Sequence, residues 1–392
     1  MKALVIAPQP FFSPRGTPFS VYYRTLVSSE LGVKIDFLTY GEGQDVDVPN
    51  VNIIRIPRFK FLGDVKIGPS SLKLFLDLFI IAKMLSLLIR NKYDMVHAHE
   101  ESVFFARYMK PLFKFKLIYD MHSSLPQQLT NFNFSSSKFL INIFKKLEDS
   151  CLRAADGVIT ICPDLYNYVN SIIEDKSKHF LIENSIFESV KLKNPSTEKI
   201  SDVKTEESQE LFKKDIVVYA GTLEKYQGID ILIKGFKYTV QENSDAFLVI
   251  VGGSPDQVKE YSALAAENQV SNKIMFTGRV AQPIAKYYVG IANVLVSPRS
   301  EGTNTPLKVY EQLASGIPLV ATNIYSHTQV LTPEVAFLVD PTPESIGKGI
   351  VQALKQRDEV ERKVSTAKKM YEDKYSRAIY TQKLKKLLEL LK

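Results

Sequence analysis

The densest run of residues equipped for chemistry lies late in the chain, in Pro298-Arg299-Ser300-Glu301-Gly302-Thr303-Asn304-Thr305-Pro306-Leu307-Lys308-Val309-Tyr310-Glu311. An apolar run, Val294–Ser297, leads into a loop of glycine, threonine and asparagine, and a helix is predicted to begin near Pro306. Proline is tolerated in a first helical turn because its missing N–H is one of the groups a helix leaves unpaired there. The neighbouring N–H groups then face outward with the positive end of the helix dipole behind them, which suits an anion. Lys308 adds a full charge in that first turn. Glu311, about one turn on, is placed to accept hydrogen bonds from ribose hydroxyls while a diphosphate occupies the helix end. Thr305, Pro306, Leu307 and Lys308 are therefore candidate diphosphate contacts and Glu311 a candidate nucleoside contact.

Smaller groups of the same kind occur earlier. Arg15, Gly16 and Thr17 stand between a first apolar run and a helix, so a glycine lets backbone approach an anion and Arg15 supplies charge. His122, in Tyr119-Asp120-Met121-His122, follows a strand end, where it can donate to a phosphate or a sugar hydroxyl. Gly221 and Thr222, Gly252, and Gly278 with Arg279 and Val280 each follow an apolar run, marking strand ends that face a ligand. His97 and His99 share one face of a strand with no third ligand in view, so no metal site is expected there. Asp45-Val46-Asp47 sits among turn residues and reads as a solvated turn, not a metal motif. The expectation is a site that uses no metal and no cofactor.

These residues need strands to carry them, and the chain supplies two series. The first has apolar runs at Lys2–Ala7, Val33–Thr39, Val51–Ile56, Met95–Ala98, Lys116–Tyr119, Val158–Ile161 and Phe180–Ile182, with helical patterns such as Phe19–Leu31, Leu72–Arg90, Ser137–Ala154 and Pro163–Ser171 between them. Short apolar strands alternating with helices imply a parallel sheet covered on both faces. Glu188 to Lys214 is polar and reads as a linker. A second series follows at Ile216–Ala220, Phe247–Val251, Ile274–Thr277, Val294–Ser297, Pro318–Ala321 and Ala336–Val339, and the stretch from Glu359 is charged and helical in period. The reading is α/β, with two doubly wound units in tandem and ligands beyond the carboxyl ends of the strands.

Composition bounds the rest. With 392 residues, 45% hydrophobic and 24% charged, the chain is an ordinary globular one of about two domains. Fifty lysines and arginines against 43 acids give +7, which suits an anionic ligand or surface; no basic stripe points to nucleic acid. Two cysteines, Cys151 and Cys162, make neither a disulfide framework nor a zinc site and read as small buried hydrophobes. The amino-terminal run ends at Pro8 without a small-residue cleavage site, so a buried strand rather than a signal peptide is expected, and a cytoplasmic place by default. Leu72–Ile89 is apolar on most of its circumference but carries Lys73, Asp77 and Lys83. It reads as a helix buried against a sheet, with a face resting on a bilayer as the alternative. The basic-aromatic runs Arg58–Phe61 and Phe113–Lys116 support that alternative, which would place the protein at the inner face of the cell membrane.

The run from Glu311 to Thr322 (a glutamate, a small-residue helix end, Gly316-Ile317-Pro318, then a strand) resembles the signature of the retaining family-4 glycosyltransferases, glycosyltransferase group 1. Tyr93–His99, Ala155–Thr160 and Glu183-Asn184-Ser185 resemble further segments of that family, so the resemblance covers nearly the whole chain. It implies a GT-B fold: two tandem Rossmann-like domains facing a central cleft, residues 1–186 binding the acceptor, 187–372 binding the nucleotide sugar, and a helix over 373–392 packing back on the first. It implies that Glu311 binds the donor ribose, that Thr305 to Lys308 hold the diphosphate, and that the Gly16 loop meets the phosphates from the other domain. It also puts His122 at the reaction centre and Arg279 and Val280 near the base. The implied reaction is transfer of a hexosyl group from a nucleoside diphosphate sugar to a glycan or lipid-linked acceptor, in polysaccharide or glycolipid assembly.

Two departures bear on this. Thr222 and Gln227 stand where the family carries an arginine and a lysine that neutralise the diphosphate, and Thr303 stands where it carries a second glutamate. Either Arg15, Lys308 or Lys225 supplies the charge, or the protein is a non-catalytic nucleotide- or glycan-binding relative. A nucleotide-sugar epimerase on the same fold is the other enzyme reading.

Overall fold

The structure is a computed structural model that describes residues 1–13, 16–59, 63, 65, 70–126, 138–184, 186–193, 211 and 213–392. The chain divides into two compact units: Met1–Asn184 with Val190–Pro195 and Arg377–Lys392, and Ser185–Ser189 with Ser196–Ser376. Residues 190–195, expected with the second domain, thus belong to the first unit. Val46 and Leu192 form an antiparallel bridge, and the Asp47 N–H donates to the Lys191 carbonyl at 2.8 Å. Asp45 accepts from Arg55 at 2.8 Å. Asp45 and Asp47 stay exposed, as expected of a solvated turn, while Val46 between them is buried and held by the bridge.

In unit 1 the strands are β1 (Lys2–Ala7), β2 (Lys34–Thr39), β3 (Val51–Arg55), β4 (Met95–His99), β5 (Lys116–Met121), β6 (Gly157–Thr160) and β7 (His179–Leu181). They form one sheet in the order β3-β2-β1-β4-β5-β6-β7, with every pairing parallel. The helices are α1 (Gly16–Glu30), α2 (Ser71–Arg90), α3 (Ser102–Phe113), α4 (Lys138–Ala154) and α5 (Pro163–Asn170). Side chains alternate across a strand, and this alternation assigns the faces. Leu4, Ile6, Val96, Ala98, Leu117, Tyr119 and Met121 share a core with Leu76, Ile80 and Met84 of α2, Val103 of α3 and Cys151 and Leu152 of α4. His97, His99 and Asp120, one residue out of step, project to the other face. There they meet Arg24 of α1 and, through it, Tyr380 of the last helix.

That helix, α13 (Arg377–Leu390), buries Tyr380, Leu384, Leu387 and Leu388 in unit 1. Arg377 reaches both carboxylate oxygens of Glu30 at 2.7 and 2.8 Å, and Lys383 pairs with Glu183 at 2.7 Å. It starts at Arg377, later than the expected boundary after residue 372.

Unit 2 has β8 (Asp215–Ala220), β9 (Ala246–Val251), β10 (Ile274–Gly278), β11 (Val294–Ser297), β12 (Leu319–Thr322) and β13 (Phe337–Val339), again all parallel, in the order β10-β9-β8-β11-β12-β13. Its helices are α6 (Ile229–Glu242), α7 (Pro255–Glu267), α8 (Gln282–Gly290), α9 (Lys308–Ser315), α10 (Tyr325–Thr328), α11 (Pro343–Lys355) and α12 (Arg357–Lys374). The strand interiors are apolar rather than alternating because both faces are covered. Ser254 and Gln257 form a capping box at the start of α7, and Gly316 closes α9 in the left-handed conformation. The fold is the two-domain α/β type expected.

Candidate functional sites at the strand ends

In unit 1 the parallel register puts His99 beside Asp120 and His97 beside Ile118. His97 Nε2 lies 3.0 Å from Asp120 Oδ2, and His99 Nδ1 lies 3.0 Å from His122 Nε2. Arg24 Nε stands 2.9 Å from the same Asp120 oxygen, and its Nη2 donates to the Ile182 carbonyl at 3.3 Å. All five side chains are buried. Burial works to raise the pKa of Asp120, but the charge of Arg24, helped by the His97 hydrogen bond, outweighs it and holds the carboxyl well below its usual range. Burial drives His99 well below the imidazole range and His122 down to about 4, against the pull of Asp120. Around Asp120 the cluster therefore holds an ionised carboxylate, the Arg24 guanidinium and, in His99 and His122, a pair of neutral imidazoles in which one facing nitrogen donates and the other accepts.

His97, His99 and Asp120 bring three ligand-type atoms within 4.8 Å of one another, so Asp120 is the third group that the sequence left out of view. Arg24 already neutralises that carboxylate. A divalent ion added here would leave two uncompensated charges in a buried site, which is costly. The arrangement reads as an ion pair that fixes the rings rather than a metal centre.

His99, His122, His179 and His327 are all pushed down by burial, the last three to about 4, about 4 and about 3. The unfolded chain takes up protons near the ordinary imidazole value of 6.5 that the folded chain refuses. Stability from these groups is fully present above that value and is lost as pH falls toward about 4. The midpoint of thermal unfolding is expected to drop steeply from about pH 6.5 to about pH 4.5. A flat profile across that window would mean these histidines are not held neutral.

In unit 2, Lys308 opens α9, with Leu307 already in helical angles ahead of it. Lys308 is partly exposed, yet its Nζ is buried without a hydrogen-bond partner among the described residues. The nitrogen lies 4.0 Å from the centre of the Tyr219 ring and 3.7 Å from where a Cβ on Gly221 would stand. Burial, with the charge of Arg299 added, lowers the Lys308 pKa to about 7. Arg299, just past β11, packs its guanidinium 5.1 Å from the Tyr226 ring and donates to the Glu301 carbonyl at 2.6 Å and the Asn304 carbonyl at 3.3 Å. It thereby folds the 301–304 loop around itself. A side chain at Gly302, where φ is +113°, would strike its Nη2 at 2.2 Å. Behind it, buried His327 joins the Ser297 hydroxyl at 2.9 Å to Thr322, tying the ends of β11 and β12 together.

Glu311 is half-buried, and burial raises its pKa to about 7 against the opposing charge of Lys286. Gly221 and Gly252 close on each other: with φ at +121°, a Cβ on Gly252 would lie 2.0 Å from the Gly221 carbonyl. Thr222 and Arg279 are exposed at the ends of β8 and β10, and Val280 packs against the unit's core. Thr305 keeps a buried hydroxyl without a hydrogen-bond partner among the described residues, and Pro306 is buried. Lys225, one candidate for the missing charge, is exposed. Gly16 and Thr17 open α1 in unit 1; Arg15 lies outside the described residues. Arg24, Asp120, Arg299 and Tyr219 had no role in the sequence reading. A cation two residues after an apolar strand was the available signal for Arg299.

Two parallel doubly wound units with cations and glycines at their strand ends define a two-domain α/β protein of the GT-B class. The model of the glycosyl transferases group 1 matches residues 202–370, and that of glycosyltransferase family 4 matches residues 23–186. The chain belongs to the group 1, family-4 glycosyltransferases. YtcC of Bacillus subtilis is 30% identical over 170 residues, 41% of each chain, so that match spans less than half of either protein. Sucrose-phosphate synthase from Thermosynechococcus elongatus superposes with a TM-score of 0.74 at 16% identity, covering 99% of this chain and 98% of that one. HepE of Anabaena, solved with UDP-glucose, does so with a TM-score of 0.71 at 14% identity, covering 99% of each chain.

Proposed function

We propose that the chain transfers a hexosyl group from a nucleoside diphosphate sugar to a hydroxyl of a glycan or lipid-linked acceptor, with retained configuration and without a metal ion. One observation carries the reading. Lys308 Nζ is buried without a hydrogen-bond partner among the described residues, and the charge that bears on it is that of another cation, Arg299. Burying like charges together is unfavourable unless an anion shares the site. A donor diphosphate at the start of α9 supplies that anion, and Lys308 with Arg299 does the work of the cations that Thr222 and Gln227 replace. Solved HepE holds UDP-glucose on the same fold, which supports a diphosphate sugar as the donor.

Unit 2 is the donor side in this reading, with Glu311 accepting from the ribose, and unit 1 is the acceptor side. No carboxylate is committed as a covalent nucleophile; the acceptor attacks on the face the diphosphate leaves, and the departing phosphate takes its proton. Donor phosphate charge is met by side chains, so chelators leave binding intact.

The test is a thermal-shift panel of nucleoside diphosphates and their sugars in the presence of a chelator. One diphosphate is expected to raise the midpoint selectively. Glu311→Gln is expected to weaken that ligand about 10–100-fold, the worth of a hydrogen bond to a charged acceptor. Absence of any shift across the panel would remove the donor-site reading.

A further inference from the structure

Large apolar side chains that stay exposed are concentrated on one side of unit 1. Leu74, Leu78 and Ile89 of α2 are 62%, 62% and 68% exposed, Leu112 of α3 is 72% and Phe139 of α4 is 76%. The three helices lie side by side on one face of the sheet, since all three feed the same core from β1, β4 and β5. Leu74, Leu78, Leu85 and Ile89 recur at the spacing that keeps one stripe of a helix, turned away from the buried Leu76–Ile80–Met84 stripe. In the amino-terminal half of α2, Phe75 and Phe79 pack at an angle against Phe59, with ring centres 5.6 and 4.9 Å away, adding to the apolar surface.

The charge on these helices is one-sided. Lys83 and Arg90 of α2 and Lys145, Lys146 and Arg153 of α4 are exposed. Their acids are withdrawn: Glu148 is buried, Asp77 accepts from Tyr40 at 2.7 Å, and Asp149 accepts from Tyr168 at 3.3 Å. No helix among the described residues is long and apolar enough to cross a membrane.

We infer that the α2–α3–α4 face of unit 1 docks on the surface of a bilayer containing anionic lipid. Aliphatic side chains flanked by lysine and arginine match an interface where acyl chains lie beneath charged headgroups. A layer of helices on a sheet presents them on a broad, shallow surface. A second copy of this chain fits worse, because a self-complementary contact would set these cations against themselves. The face lies on the side of the sheet away from Arg24, Asp120 and the histidines, so docking leaves that cluster uncovered by lipid. This inference stands apart from the donor-site reading.

The experiment is flotation of the full chain with vesicles of phosphatidylcholine, with and without phosphatidylglycerol. Recovery is expected only with the anionic lipid, falling as salt screens the cations. Leu74→Glu with Leu78→Glu, and separately Lys145→Glu with Lys146→Glu, are each expected to cut recovery roughly tenfold or more. Both variants should keep the wild-type thermal midpoint, because the four side chains are exposed. No recovery on anionic vesicles, equal recovery on neutral ones, or a stable dimer that Leu78→Glu dissociates would each overturn the inference.

Discussion

Lys308→Ala is expected to lower turnover, followed as nucleoside diphosphate release, by roughly 10²–10³, the usual cost of removing one preorganised group that stabilises developing charge. The ammonium lies buried against the Tyr219 ring with its pKa lowered to about 7, so about half of the unliganded protein carries it neutral near that pH. A bound diphosphate favours the charged form, so binding takes up a proton. Affinity therefore falls as pH rises above about 7, and calorimetry in buffers of different ionisation enthalpy reads the uptake directly. Lys308→Met separates charge from packing, since its stem still covers the Tyr219 ring. It should match alanine in turnover and bind the nucleoside without phosphates as wild type does. Full activity in either variant, or no proton uptake, would place the diphosphate elsewhere.

Arg24→Met is expected to destabilise the protein by about 3–5 kcal/mol, because it leaves the ionised Asp120 carboxylate buried without its cation. At this domain size that corresponds to a fall of roughly 6–20 °C in the unfolding midpoint. With the guanidinium gone, burial dominates and the Asp120 pKa rises, so the loss is largest at neutral and alkaline pH. Arg24→Met combined with Asp120→Asn should recover part of the stability, since the amide carries no charge to strand. A single variant as stable as wild type, or a double variant less stable than the single, would refute the view that the pair holds the histidines by charge compensation.

The elements and most of the loop leading into α9 were legible in the chain itself. Strand runs such as Val294–Ser297 and helix stops such as Gly316 are local signals, set by side-chain period and backbone angle within a few residues. Pro306, Lys308 and Glu311 were legible together because a helix start fixes their spacing. Their partners were not. Lys308 meets Tyr219 only once β8 and β11 pair, and nothing within reach along the chain announces that ring. Arg24 reads as one more residue of an amphipathic helix until β5 brings Asp120 under it. His97 and His99 lacked a third group because the register of β4 on β5 supplies it from 21 residues beyond His99. The exposed face of α2 shows the same limit. Its period marked a buried stripe, and only the layer formed with α3 and α4 decided that the opposite stripe stays uncovered. Local chemistry is written in neighbouring residues; charge compensation, burial and exposure depend on which strands become neighbours in the sheet.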